Sequence, residues 1–342
     1  MFEKKLISIH LNSNRPSSFN NFIKSLITTT NNIDVIEVLV NIDTNDKKMI
    51  DKINQINKEN PNLIRYIETD LIKTFADAWK PLNILLSKTS LSCKFISCVS
   101  DDIRFLTTNW DNIILNYRNA YTDNIFRIRC SNYRNAEYND VWECGYKPDS
   151  YAFYTKEWLQ TVNLWNPCIG PDSFQECISY YLKKYGKDFD RDIIDNEIQY
   201  SGEEVSENLE FSTRIQRTRI YYKAFFKLMS FSMQDIANDK AYKLATLISE
   251  NKKLNQIKIN RKKVIFTNLY RRLNFFYYRG SPNHIIDTKI KNIIFMIWCY
   301  CSFVDKFLIK VLKFMSNKSY IELIIRDKNK IKKINKIINN KR

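Results

Sequence analysis

The apolar positions of the first hundred residues fall into alternating runs of two kinds. Leu6 to Leu11 is a short run rich in β-branched residues, broken by Asn12-Ser13-Asn14-Arg15-Pro16, and predicts a first strand and turn. Phe19, Phe22, Ile23, Leu26 and Ile27 then recur at helical spacing, with Ser17 or Ser18 placed to cap the helix. Asp34 to Ile42 (DVIEVLVNI) is nearly all apolar, as expected of a strand covered on both faces, and ends at Asp43. A helix over 47–57, a strand over 62–67, a helix over 75–87 and a strand over 94–99 (KFISCV) come next, the last ending at Ser100-Asp101-Asp102. Strand–helix alternation of this kind predicts a doubly wound, mostly parallel α/β sheet, and such sheets bind ligands beyond the carboxyl ends of their strands. Asn14, Arg15, Asp43, Asp101 and Asp102 all fall at those ends. Neither GxGxxG nor GxxxxGK[ST] follows a strand, which disfavours a dinucleotide site or a P-loop.

Residues 103–200 are mixed in pattern, with strands predicted at 125–130 and 151–154 and a helix over 172–185 whose apolar side is Phe174, Ile178, Tyr181 and Leu182. Beyond about residue 208 the spacing is helical, so two regions are expected, 1–202 and 203–342. Charge divides the same way. Of the net +17, residues 201–342 hold 30 basic and 11 acidic side chains, leaving 24 basic and 26 acidic in 1–200. A basic helical extension of this kind is drawn to anionic lipid or to nucleic acid. Its 13-residue uncharged run, Asn292–Val304, is shorter than the roughly 20 apolar residues of an ordinary span. Phe307, Leu308, Val311, Leu312 and Met315 continue on one face and Asp305, Lys306, Lys310 and Lys313 on another, the pattern of an interfacial helix. The other readings are a core helix with a solvated basic face and a nucleic-acid-binding element. The 8 Cys form no CxxC pair, and Met1 to Lys5 runs directly into the first strand without a signal-peptide pattern. A reduced cytoplasmic protein, peripheral on a membrane's cytoplasmic face where its extension docks, is expected. Two His residues, His10 and His284, disfavour a multi-His zinc site or a Ser-His-Asp triad.

Chemistry concentrates at the acidic pair. Adjacent carboxylates at a strand end supply hard oxygen ligands suited to Mg²⁺ or Mn²⁺, and a cation there neutralises a departing diphosphate. The alternative use of such a pair is a turn or helix cap. In order, Ser8-Ile9-His10-Leu11-Asn12-Ser13-Asn14-Arg15-Pro16, Ile36 to Asp43, and Val99-Ser100-Asp101-Asp102 resemble the first strand and turn, the second strand and the DXD region of family 2-like glycosyltransferases with a GT-A fold. The resemblance covers roughly residues 4–200 and departs at Ser100, which stands where the first DXD acid is usual.

The resemblance implies that Asn14, Arg15 and Asp43 line the nucleotide-sugar pocket, with Asp77, Lys80 and Asp101 approaching the donor and Asp102, with Asp101, contacting the metal. It also implies a carboxylate base at a helix start after the core sheet. Gly170-Pro171-Asp172 fits that place, so Asp172 is the first candidate and Glu176, one turn on, the second. Trp142, Tyr151, Trp158 and Trp165 lie between the two clusters and are candidates for sugar stacking, at least two of them expected in the core. The activity so implied is an inverting transfer of a sugar from a nucleoside-diphosphate donor to a hydroxyl of a glycan or lipid-linked acceptor. A non-catalytic GT-A-like scaffold tethered at a membrane surface is the alternative, favoured by Ser100.

Overall fold

The computed structural model describes residues 4–73, 77–131, 151–168, 171–202, 227–228, 230–250 and 254–265. The chain divides into two units, one of residues 1–204 with 231–260, the other of 205–230 with 261–342. Nearly all described residues belong to the first. The 291–315 stretch and the tail fall outside them, as does Trp142.

The first unit opens as the apolar periods predict. Strands β1 (Ile7–Asn12), β2 (Ile36–Asp43), β3 (Ile64–Thr69) and β4 (Phe95–Cys98) alternate with helices α1 (Pro16–Thr29), α2 (Lys47–Glu59) and α3 (Trp79–Lys88). β1 pairs in parallel with β2 on one side and β4 on the other, and β2 pairs with β3. Ile7, Ile9 and Leu11 of β1 and Ile36, Val38, Val40 and Ile42 of β2 are buried against Phe19, Phe22, Ile23 and Leu26 of α1 and Met49 and Ile53 of α2. Helix α1 starts differently from the expectation. Arg15 is its N-cap residue, Pro16 occupies the first turn and no side chain caps it; the Ser18 hydroxyl instead donates to the carbonyl of Asp101 at 2.9 Å.

The later part adds β5 (Ile103–Phe105), α4 (Trp110–Asn116), β6 (Arg127–Ser131), β7 (Phe153–Thr155), α5 (Lys156–Val162), α6 (Pro171–Lys183), β8 (Asp192–Gly202) and α7 (Phe231–Ile248). The eight strands run β3-β2-β1-β4-β7-β6-β8-β5 across one sheet. β7 is antiparallel to both β4 and β6, β6 and β8 are parallel, and β5 is antiparallel to β8. The sheet is therefore mixed, mostly parallel, with its uniform half at β1–β4. Helix α7 packs on α6, where the Tyr181 hydroxyl lies 3.0 Å from Gln234 Oε1.

The consequence of this order is positional. Strand order across the sheet reverses at β1: β2 and β3 are laid down to one side of it and β4 to the other. The carboxyl ends of β1 and β4 thus flank the switch point where α/β sheets open a crevice. The candidate residues after β1, β2 and β4 share that rim.

Candidate active site

Three consecutive residues of the β1–α1 turn fasten the rim together. Ser13 Oγ donates to Asp101 Oδ2 at 2.6 Å, and Arg15 Nε donates to the same oxygen at 3.2 Å while its terminal nitrogen pairs with Oδ1. Asn14, between them, turns the other way and donates from Nδ2 to Asp43 Oδ2 at 3.3 Å. Neighbours in this turn thus reach acids at the ends of two different strands. Asp101 is buried, and its backbone carbonyl accepts from Ser18 and from Arg104. Arg15 keeps about 40% of its side chain exposed while pairing with the buried acid.

Asp102 differs from its neighbour. It is half-buried, and its Oδ1 accepts from the Ser100 hydroxyl. Oδ2 has no partner among the described residues. Ser100 thus orients the Asp102 carboxylate through a hydrogen bond, where an acid would repel it. No three His, Cys, Asp or Glu side chains cluster to hold a metal ion among the described residues.

Helix α3 joins the rim through Asn12 at the end of β1, whose Nδ2 donates to the carbonyl of Ala78 at 2.7 Å. This bond places Asp77 and Lys80, an ion pair at 2.7 Å, at the strand ends. Asn12 Oδ1 is buried with no hydrogen-bond partner among the described residues. Asn12 and Ser13 were not singled out by the sequence, although they stand in the same turn as Asn14 and Arg15. Such a turn does not reveal which of its polar residues face inward.

Both candidate bases lie in α6, and the side chain of Asp172 is outside the described residues. Asp172 is the second residue of α6. Glu176 is buried further along the helix, where Arg127 Nη1 and Nη2 donate to its two oxygens at 2.7 and 2.9 Å. Arg127, fully buried in β6, also donates from Nε and Nη2 to Asp192 at 2.6 and 2.8 Å. Lys183 Nζ lies 2.9 Å from Asp192 Oδ2, and Ser179 Oγ donates to Oδ1 at 3.0 Å. Burial alone would raise the Asp192 carboxyl and lower the Arg127 guanidinium. The opposite charges outweigh it, holding Asp192 well below the usual carboxylate range and Arg127 well above its ordinary value. To take a proton from a substrate, Glu176 would have to abandon a buried guanidinium.

The segment leading into α6 is held at several points. Asn83 Oδ1 of α3 accepts from the backbone N–H of Trp165 at 2.7 Å and of Asn166 at 3.3 Å, and Asn83 Nδ2 donates to the Asn166 carbonyl at 2.9 Å. The Trp165 indole N–H donates to His10 Nδ1 at 3.0 Å. Because an indole nitrogen only donates, Nδ1 carries the lone pair and His10 is the Nε2–H tautomer, with Ser8 and Thr89 hydroxyls at 3.0 and 3.1 Å. Burial, with the nearby Arg65 charge, lowers the His10 pKa to about 3. Gln175 Nε2 donates to the carbonyls of Leu164 and Trp165, and the Trp158 indole donates to Gln175 Oε1. Trp158 and Trp165 are thus core residues, and Tyr151 is partly buried against the core.

No family model matches the sequence, and no curated protein matches it. Among solved structures, the chain is similar to the mannosyltransferase PcManGT from Pyrobaculum calidifontis in complex with GDP-Man and Mn²⁺, with a TM-score of 0.52, 12% identity and coverage of 85% of this chain and 87% of that one. A looser likeness, TM-score 0.46 at 12% identity over 98% and 89% of the two chains, links it to S. aureus TarS 1–349 in complex with UDP-GlcNAc. The first of these likenesses, read with the strand order and the shared rim, establishes that the chain has a GT-A-like fold of the kind found in a nucleotide-sugar glycosyltransferase.

Proposed function

We propose that this protein is a glycosyltransferase that moves a hexose from a nucleoside-diphosphate sugar to a hydroxyl of a glycan or lipid-linked acceptor, with inversion. The observation that carries the reading is the turn Ser13-Asn14-Arg15, which brings Asp43 and Asp101 to one rim at the switch point of the sheet. A donor laid across that rim meets Asn14 and Asp43 with its nucleoside and Arg15 with its phosphates, for which a guanidinium is suited. Asp77 and Lys80 stand beside it, and Asp101 positions Arg15. Asp172, at the start of α6, accepts the acceptor's proton as that oxygen bonds the anomeric carbon and the bond to the diphosphate breaks.

A divalent cation fits this rim through Asp102. Its Oδ2 is without a partner among the described residues, whereas both oxygens of Asp101 are engaged by Arg15 and Ser13. One carboxylate with phosphate oxygens and waters is an ordinary ligand set for Mg²⁺ or Mn²⁺, and the ion would supply neutralisation of the leaving diphosphate. In this reading residues 1–202 carry the chemistry, and the basic region 203–342 docks on the anionic cytoplasmic face of a membrane. Among the described residues no helix is long and apolar enough to cross one.

The test is a thermal-shift series with UDP and GDP, with and without Mn²⁺. A ligand at a hundredfold its Kd adds about 2.7 kcal/mol, a rise of about 5–10 °C for a domain of this size. Release of UDP from UDP-GlcNAc, or GDP from GDP-mannose, should be lost in Asp102→Ala while its melting temperature is kept. Full activity of that variant under chelator overturns the metal role. No shift with either nucleotide favours the scaffold reading.

A further inference from the structure

The donor side and the base side of the site are carried by different elements, and Asn83 is a side chain that bonds from one toward the other. Helix α3 begins at the rim, where Asn12 holds the Ala78 carbonyl and Asp77 pairs with Lys80. Asn83 lies one turn beyond Lys80 and so shares its side of the helix. Its amide meets the backbone of Trp165 and Asn166 as a strand neighbour would, accepting from two N–H groups and donating to one carbonyl. Asn166 Oδ1 in turn accepts from the Cys168 N–H at 3.0 Å. Gln175 grips the same segment from within α6 through the Leu164 and Trp165 carbonyls. Asn83 therefore ties the side of α3 that carries Lys80 to the segment 164–166, which Gln175 holds from within α6.

We infer that Asn83 is a positioning residue, which sets the distance between the donor held at the start of α3 and the carboxylate at the start of α6. This inference rests on the glycosyltransferase reading above. Reactions between two held partners are sensitive to such spacing; a displacement of about 1 Å costs on the order of a hundredfold in rate. Neither end of this tie is altered by changing Asn83, so donor binding and the identity of the base are left intact while their separation relaxes.

The experiment compares wild type, Asn83→Ala and Asn83→Asp in donor hydrolysis, with UDP-GlcNAc and GDP-mannose as probes in the presence of Mn²⁺. Asn83→Ala is expected to lower kcat by about ten- to a hundredfold with the donor KM changed less than about twofold. Asn83→Asp keeps the acceptor toward the Trp165 and Asn166 N–H groups but sets a carboxylate oxygen against the Asn166 carbonyl. Its kcat should fall between those of Asn83→Ala and wild type. All three are assayed well below the lowest melting temperature, so a purely structural contact would leave kcat and KM unchanged. Equal kcat in wild type and Asn83→Ala, or a loss confined to KM, overturns the inference alone. Absence of turnover by wild type with either donor overturns the glycosyltransferase reading and the inference with it.

Discussion

Substituting Glu176 by Gln separates a buried ion pair from a catalytic base, because the two roles demand opposite signatures. In the structure Glu176 and Arg127 leave only 6% and 1% of their side chains exposed, and two hydrogen bonds of 2.7 and 2.9 Å join them. Gln has the same shape and keeps one acceptor, but it presents an NH₂ to a guanidinium N–H and removes the charge. Breaking a buried pair by altering one partner costs about 3–5 kcal/mol. Asp192 still faces Arg127 and carries part of its charge, which favours the lower end. At about 2–4 °C per kcal/mol for a domain of 150–250 residues, a loss of about 3 kcal/mol lowers the melting temperature by about 6–12 °C. Differential scanning fluorimetry reads this directly, and donor hydrolysis measured well below the new midpoint should retain most of its rate. Asp172→Asn is the counterpart: a helix-dipole loss of at most about 1 kcal/mol, a shift of a few degrees, and turnover abolished. If Glu176→Gln kept its melting temperature within about 2 °C and lost its turnover, the ion-pair argument would be wrong and Glu176 would be the base.

Two further outcomes concern buried groups away from the rim. His10 is neutral in the fold with its pKa lowered to about 3, so the unfolded chain binds a proton first as pH falls. Stability is full above about pH 6.5 and declines by about 1.4 kcal/mol per unit below it. Urea titrations at about pH 6.5 and about pH 4.5 should show this slope, and His10→Gln should flatten it relative to wild type; parallel slopes would contradict the assignment. Asp111, fully buried in α4, accepts from the backbone N–H groups of Asn31 and Asn32 at 2.8 and 2.9 Å. Asp111→Ala leaves both donors without a partner and should cost about 3 kcal/mol in a denaturant titration, a result that an unchanged midpoint would refute.

What the sequence revealed depended on how much burial each element needs. β1, β2 and β4 are covered on both sides, so their apolar runs stand out, and α1 declares its inner face through Phe19, Phe22, Ile23 and Leu26. β8 did not stand out: DIIDNEIQYSG is rich in residues that disfavour strands, and it is ordered by pairing with β6 and β5, which is tertiary context. β5, α4 and α5 span only three to seven residues, too short for a period to register. At the site, the acids at strand ends were visible because chain direction alone puts them on one edge. The contacts of Ser13 and Asn83 were not, since each depends on a partner more than eighty residues away. Glu37 shows the same limit inside a strand. Within an apolar run it would be a misfit, yet Arg65 at 2.5 Å and the Ser90 N–H at 2.9 Å satisfy it, and neither is adjacent in sequence.

The alternation of Ser13, Asn14 and Arg15 has a bearing on which changes the protein can absorb. Each of the three fastenings belongs to one residue, so a point substitution forfeits one contact and leaves the other two standing. Adding or deleting a single residue between Leu11 and Pro16 puts all three side chains out of step with Asp43 and Asp101 at once. Loop length here is therefore a stricter requirement than loop composition, and a library that varies identity at these positions while holding their number fixed will retain more folded, binding-competent members than one that does the reverse.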